Sequence, residues 1–160
     1  SKMNLREQLL YIRHLFRLYR FRYPAIVQLM LFLLVGFSGF LVDTFFYFSL
    51  QLSLGVSHLA ARAASFVLAA SWNWYCNRKI TFLQAGRSDG LAQWTKFLVM
   101  SSISFVLNWG SYCFLTTAVP FFAEHRYPAF IAGILVGTVS NFTFSKYIVF
   151  KEPVGAGLPR

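Results

Sequence analysis

Two charged side chains of opposite sign lie within long apolar stretches of the sequence. A helical hairpin that turns near Ser53 would bring Asp43 and Arg62 to a similar depth near one end of the hairpin. A lone charge at the centre of a membrane costs roughly 2.5 to 3.5 kcal/mol, and less near the interface, so a partner offsets much of that cost. The spacing therefore predicts an ion pair, which is either a structural salt bridge or part of a ligand site.

A second group of polar residues combines side-chain amides with cations. Asn73 and Asn77 are one turn apart on one face of a predicted helix, and Arg78 follows directly. The same pattern recurs near the end of the chain, as Asn141, Ser145 and Lys146. Amide donors backed by cations are what a phosphate or phosphodiester head group requires. The alternative is that these residues join helices and anchor them at the interface.

Residues for covalent catalysis or metal binding are not arranged together. The chain has only 5 acidic residues and 3 histidines, and none of them forms an acid–base pair or a catalytic triad with a neighbour in the sequence. Cys76 and Cys113 have no metal-ligand spacing and are expected to be small packing residues. We therefore predict neither an enzyme nor a metal or cofactor site.

Long apolar runs must position these polar residues. The 160 residues are 57% hydrophobic and 12% charged, which is more apolar than a soluble protein of this size requires. Segments of roughly 20 residues suffice to cross about 30 Å of hydrocarbon. The sequence predicts an all-α integral membrane protein with four transmembrane helices, at about residues 25–48, 57–76, 97–119 and 128–147.

The basic residues are distributed unevenly about these spans. Of the 15 Lys and Arg residues, all except Arg62 and Arg126 flank the side that carries both chain ends and the middle loop. The positive-inside rule places this side in the cytoplasm. Because the charge lies next to the membrane, anionic lipids are the expected partner and nucleic acid is not.

The regions outside the spans differ in character. Residues 1–23 are predicted to form a basic amphipathic helix in the inner interface, although the same apolar face would also suit a partner protein. Residues 24–151 form the predicted membrane domain, and residues 152–160 a flexible tail.

The membrane region contains an internal repeat. Residues 32–43 (FLLVGFSGFLVD) match residues 97–108 (FLVMSSISFVLN), and residues 73–82 match residues 141–150. Each copy holds two spans, so the two hairpins run parallel and imply a rotation axis along the membrane normal. Asp43 aligns with Asn108, so the carboxylate is present in one copy only.

A GxxxG pair, Gly133 and Gly137, follows in the last span. Such pairs allow close helix approach and are compatible with association between subunits. A homo-oligomer, most simply a dimer, is expected because four helices barely enclose a ligand.

The motifs resemble those of the GtrA-like family of small bacterial membrane proteins. The resemblance covers about residues 29–151 and rests on Phe32-x-x-Val-Gly36 with Asp43, on Asn73-x-x-x-Asn77-Arg78-x-x-x-Phe82, and on their second-half equivalents. It implies translocation of a polyprenyl-phosphate-linked monosaccharide across the bacterial inner membrane, for cell-surface polysaccharide synthesis or lipopolysaccharide modification. A glycosyltransferase of the same pathway is the implied protein partner.

On this interpretation the substrate-binding residues are polar or charged and lie within or beside the spans: Asp43, Arg62, Asn73, Asn77, Arg78, Asn108, Asn141 and Lys146. The cations Arg78 and Lys146 would receive the phosphate at the inner leaflet, the asparagines would line the path of the sugar, and the ion pair would act near the outer exit. One alternative is a non-transporting anchor that recruits the glycosyltransferase through the N-terminal helix. A small multidrug exporter fits the size but would need a mid-membrane glutamate, which the spans lack.

Overall fold

The computed structural model describes residues 4–83 and 89–151, apart from the side chains of Leu5, Leu9, Arg13 and Phe16. All regular secondary structure in this part of the chain is helical, as the sequence predicts. The helices are α1 (Leu5–Arg22), α2 (Pro24–Leu54), α3 (His58–Cys76), α4 (Gly90–Ala118), α5 (Pro120–Glu124) and α6 (Arg126–Phe144). The predicted tail, residues 152–160, lies outside the described residues.

Three of the described helices are long and apolar enough to cross a membrane, namely Pro24–Leu54, Gly90–Ala118 and Arg126–Val149. Many of their large apolar side chains are exposed, as lipid-facing surfaces require. Helix α3 occupies the predicted second span, but Arg62 and Asn73 lower its hydropathy, and it is not among the three. The chain is thus a multi-pass membrane protein.

Local backbone signals begin and end the long helices. Pro24 occupies the first turn of α2, where its missing N–H has no helical partner to lose. Gly55 ends α2 in the left-handed conformation with φ of 61°, and the chain then turns into α3. At the start of α4, the Asp89 carboxylate accepts a hydrogen bond from the Leu91 N–H at 3.2 Å. These signals place the turn between α2 and α3 slightly after Ser53.

The long helices pack in two pairs. Helix α2 packs along α3, α4 packs along α6, and α3 contacts α4 between the pairs. The buried positions along both pairs are mostly small residues, which let helices approach closely in lipid. They are Gly39, Ala61, Ser65, Ala69 and Ala70 in the first pair, and Ser104, Ala129, Gly133 and Gly137 in the second.

The GxxxG pair contacts the same chain. A Cβ added at Gly133 would lie 2.8 Å from the backbone oxygen of Asn108, and one added at Gly137 would lie 2.7 Å from the Asn108 Cβ. Both glycines are buried against α4. They therefore serve packing within the second helix pair, which a sequence pattern alone does not distinguish from packing between subunits.

An aromatic cluster closes one end of the bundle, where α3 and α6 end. Phe82 and Phe150 stack with their ring centroids 4.8 Å apart and their planes 10° from parallel. Phe32 contacts Phe142 edge to face at 5.3 Å, and Phe97 is almost fully buried beside Phe150. This cluster, which we call the aromatic floor, joins both helix pairs.

Two π-helical segments lead into the aromatic floor. Helix α3 continues as Asn77–Thr81, and α6 continues as Ser145–Val149. The Phe82 N–H donates to the Asn77 carbonyl at 2.8 Å, and the Phe150 N–H donates to the Ser145 carbonyl at 2.8 Å. Because a π-helix pairs residues five apart, Asn77 lies on the same buried side as Phe82, and Ser145 lies on the same buried side as Phe150.

Candidate functional site

A cavity of about 500 Å³ lies between the two helix pairs, lined by α2, α3, α4 and α6. Sites for small ligands have volumes of about 300 to 1,000 Å³. Its polar lining residues include Asp43, Arg62, Asn73, Ser101, Ser104, Asn108, Thr138 and Asn141. Its aromatic lining residues are Phe32, Phe37, Phe40, Phe66, Phe97 and Phe105. The cavity therefore offers hydrogen-bonding groups and aromatic rings to one space.

Positions that match in the internal repeat lie in pairs around this cavity. Both members of five such pairs line the cavity: Phe32 and Phe97, Gly39 and Ser104, Phe40 and Phe105, Asp43 and Asn108, and Asn73 and Asn141. Matching segments of the two copies therefore form opposite walls. At the level of Asp43 the walls differ, because its counterpart is an uncharged amide.

The predicted ion pair is present at one end of the cavity. Arg62 Nη1 lies 2.6 Å from Asp43 Oδ2, and the side chains are 56% and 16% exposed, respectively. The Arg62 guanidinium also lies over the Tyr47 ring, 6.0 Å from its centroid. Tyr47 in turn shares a 2.6 Å hydrogen bond with His58 Nδ1. Among the described lining residues, Arg62 is the one cation.

Two oxygen atoms of the cavity residues lack partners. Asp43 Oδ1 and Asn73 Oδ1 are buried and accept no hydrogen bond from any residue that the structure describes. A buried polar atom without a partner costs about 1 to 3 kcal/mol. Since both residues line the cavity, a ligand that donates hydrogen bonds would relieve this cost.

Contacts with small residues position the three asparagines of the cavity. The Asn73 side chain lies directly against Gly39. Asn108 packs against Gly133 and Gly137, and Asn141 Oδ1 accepts a hydrogen bond from Ser101 Oγ at 3.3 Å. Each amide is thus held by a helix of its own pair. Those small residues make room for amides that a larger neighbour would displace.

Three of the residues predicted from sequence do not line the cavity. Asn77 is 1% exposed, beside the aromatic floor. The Arg78 guanidinium lies over the Trp74 ring, 5.5 Å from its centroid, and Lys146 Nζ lies 5.5 Å from the centroid of Tyr147. These residues belong to the π-helical segments. The structure therefore brings together the ion pair and three asparagines, and separates them from the two cations.

Sequence reasoning missed several residues around the site. Ser101 and Ser104 are lining residues, and their alignment with Gly36 and Gly39 in the repeat would have indicated them. Gln93 is only 2% exposed. Its side chain accepts from Trp74 Nε1 and donates to the Val149 carbonyl, both at 3.3 Å. No sequence signal marks Gln93, because its partner Val149 is distant in the chain.

Within residues 4–83 and 89–151, no group of three or more His, Cys, Asp or Glu side chains is placed to hold a metal ion. Cys76 and Cys113 are free thiols. The chemistry that the cavity does offer is hydrogen bonding, one ion pair and aromatic contact.

Comparison with known proteins gives a family for most of the chain. A family model described as GtrA/DPMS, transmembrane domain, matches residues 31–150, which include every lining residue of the cavity. No curated protein sequence matches the chain.

Proposed function

The chain belongs to the GtrA/DPMS transmembrane domain family, and we propose that it translocates a polyprenyl-phosphate-linked monosaccharide across the bacterial inner membrane. The observation that carries the proposal is the cavity, in which amides, an ion pair and phenylalanine rings face one space of about 500 Å³. Sugar hydroxyls need hydrogen-bond partners, and the apolar faces of a sugar ring pack against aromatic side chains. The translocated sugar would serve cell-surface polysaccharide synthesis or lipopolysaccharide modification.

We propose that α3 is a fourth membrane crossing. It follows α2 after a short turn, packs along it, and continues through the π-helical segment to Thr81. A helix from His58 to Thr81 is about 35 Å long at 1.5 Å per residue. Arg62, the residue that most lowers its hydropathy, is paired with Asp43 at 2.6 Å. Two hairpins in parallel repeat then enclose the cavity.

The distribution of basic residues supports an orientation with both termini in the cytoplasm. Helix α1 would then lie in the inner interface. Of its described arginines, Arg6, Arg17 and Arg22 are exposed and Arg20 is half-buried; the apolar side chains of Ile12, Tyr19 and Phe21 are exposed. Anionic lipids would contact the arginines, while the acyl boundary would cover the apolar side chains.

The path of the head group would cross the aromatic floor. Phe32 and Phe97 belong both to this floor and to the cavity lining, whereas Phe82 and Phe150 directly follow the π-helical segments that carry Arg78 and Lys146. We propose that these cations meet the lipid phosphate at the inner leaflet. The head group would then pass the floor unchanged, with no covalent step, while the prenyl tail remains in the bilayer.

The test is a translocation assay in proteoliposomes that contain a fluorescent short-chain prenyl-phosphate glucose. We expect protein-dependent transfer between leaflets that slows in Asn73→Ala and Asn141→Ala, which remove cavity amides, and in Arg78→Ala. Val106→Ala is the matched control, since Val106 is exposed on α4 and does not line the cavity. Transfer that is equal in empty and protein-containing vesicles, for a panel of head sugars, would contradict the proposal.

The exposed apolar surface of α1 favours a second candidate function, a non-transporting anchor for a glycosyltransferase of the same pathway. Phe21 of this helix is 89% exposed. Co-purification of the enzyme that is lost on deleting residues 1–23, with sugar-lipid transfer absent from the full-length chain, would support the anchor. A homodimer is a further expectation, and it would use lipid-facing surfaces other than Gly133 and Gly137, which are buried within the chain.

A further inference from the structure

The unpartnered oxygens of the cavity lie along one wall. Asp43 and Gly39 are one helical turn apart on α2, which is about 6 Å along the helix axis. Asn73 lies directly against Gly39, so its amide is about one turn deeper than the carboxylate. Both Asp43 Oδ1 and Asn73 Oδ1 are buried and accept no hydrogen bond from the described part of the chain. The wall formed by α2 and α3 therefore contains two buried acceptors without partners, at two depths.

The opposite wall carries amides at the matching positions. Asn108 aligns with Asp43, and Asn141 aligns with Asn73; both line the cavity. The Asn141 oxygen already accepts from Ser101 at 3.3 Å. Among the described lining residues, both charges, those of Asp43 and Arg62, lie on one wall, so the cavity is chemically asymmetric despite the repeat in its sequence.

The charge of Asp43 is only partly neutralised towards the cavity. Its Oδ2 is held by Arg62 at 2.6 Å, whereas its Oδ1 has no such partner among the described residues. The Arg62 side chain is more than half exposed and lies over the Tyr47 ring. The Asp43 oxygen without a partner is therefore the one that Arg62, which also lines the cavity, does not hold.

We propose that Asp43 and Asn73 form a hydroxyl-binding subsite that selects an uncharged head sugar and rejects an acidic one, an inference that rests on the proposed function. Sugar hydroxyls donate to the two acceptors without partners. The carboxylate of a uronic acid has no proton to donate at neutral pH and has the same charge as Asp43. A repulsive element of this kind discriminates between ligands of similar size and shape.

The test measures equilibrium binding to the full-length chain in lipid nanodiscs. The three probes carry the same short prenyl phosphate and differ in the head: glucose, glucuronic acid or no sugar. We expect the glucosyl probe to bind about tenfold more tightly than the glucuronosyl probe, because Asp43 repels a second carboxylate brought beside it. The sugar-free probe should bind more weakly than the glucosyl probe.

Two variants and one control test the assignment of residues. The double variant Asp43→Asn with Arg62→Gln removes both charges and leaves no lone cation to attract the acidic probe. Its affinities for the two sugar probes should lie within about twofold of each other, since the repulsion by Asp43 is removed. Asn73→Ala should weaken binding of the glucosyl probe and leave binding of the sugar-free probe unchanged. Asp89→Asn, the same chemical change at the start of α4 and outside the cavity, should keep the wild-type preference.

The outcomes separate this inference from the proposed function. Equal binding of both sugar probes to the wild type, a preference that persists in the double variant, or a sugar-free probe that binds as tightly as the glucosyl probe would overturn the subsite. Each of these results is compatible with translocation in proteoliposomes. The predicted preference without any translocation would support the subsite and contradict the transport proposal alone.

Discussion

The Asn73 amide on α3 lies so close to Gly39 on α2 that a Cβ at position 39 would overlap it. This contact joins the two helices of the first pair and sets the depth of Asn73 in the cavity. In the second pair, α4 presents Asn108 to Gly133 and Gly137 of α6. Glycine is thus used in both pairs to seat an asparagine between helices, but the asparagine comes from the second helix of one pair and from the first helix of the other.

Gly39→Ala is expected to destabilise the protein and to slow translocation. The new methyl group must displace the Asn73 side chain or separate α2 from α3, and overpacking of this kind costs about 1 to 3 kcal/mol. Thermal unfolding in detergent and sugar-lipid transfer in proteoliposomes would measure both effects.

Gly110→Ala is the matched control for this substitution. A Cβ at Gly110 meets nothing within 4 Å, and the residue does not line the cavity. Because alanine is more favourable than glycine in a helix by about 1 kcal/mol, the Gly110→Ala variant should be as stable as the wild type or slightly more stable. A Gly39→Ala protein as stable and as active as Gly110→Ala would contradict the close contact.

The ion pair is expected to show a small but measurable coupling energy. Arg62 is 56% exposed, so the pair should contribute about 1 kcal/mol or less, as exposed pairs do. Unfolding free energies of Asp43→Asn, Arg62→Gln and the double variant form a double-mutant cycle that isolates this term. The double variant should be more stable than the sum of the single effects predicts. Strict additivity would mean that the two side chains do not interact in the membrane.

Much of the fold and part of the site follow from the sequence. Runs of apolar residues predict the long helices, because only a helix satisfies its own backbone in lipid. The ion pair is predictable because Asp43 and Arg62 would each be costly in the membrane as a lone charge. The repeat predicts that Asn73 and Asn141 occupy equivalent positions, and both do line the cavity. These features depend on composition and on spacing within one hairpin or one repeat.

Other features depend on contacts that a linear pattern does not contain. Asn77 is four residues from Asn73, which predicts one shared helix face, but the π-helical segment begins at Asn77 and the side chain is buried beside the aromatic floor. Arg78 belongs to the same π-helical segment, and its guanidinium lies over the Trp74 ring. A four-residue spacing does not reveal the change from α to π pairing, so the sequence pattern alone does not predict that Asn77 is buried beside the aromatic floor.

The stacked pair Phe82 and Phe150 is expected to contribute strongly to stability. Their rings are 4.8 Å apart and both side chains are at most 5% exposed. Replacing a buried phenylalanine by alanine costs about 3 to 5 kcal/mol, so Phe82→Ala should lower the unfolding free energy by about 3 kcal/mol. Phe45→Ala, at a phenylalanine that is 67% exposed on α2, should cost far less. Similar losses in the two variants would show that the aromatic floor does not form a packed core.

The crossing of α3 gives the decisive test of topology. The exposed Ser57 lies in the turn before α3. The exposed Leu83 lies in the turn after the π-helical segment that continues α3. If α3 spans the membrane, these two positions lie on opposite sides of it, and the positive-inside rule predicts that Leu83 is on the cytoplasmic side. In a protein with Cys76 and Cys113 replaced by alanine, Ser57→Cys should react with a membrane-impermeant thiol reagent in intact spheroplasts. Leu83→Cys should react only after permeabilisation. Labelling of both cysteines in intact spheroplasts would mean that α3 does not cross the membrane.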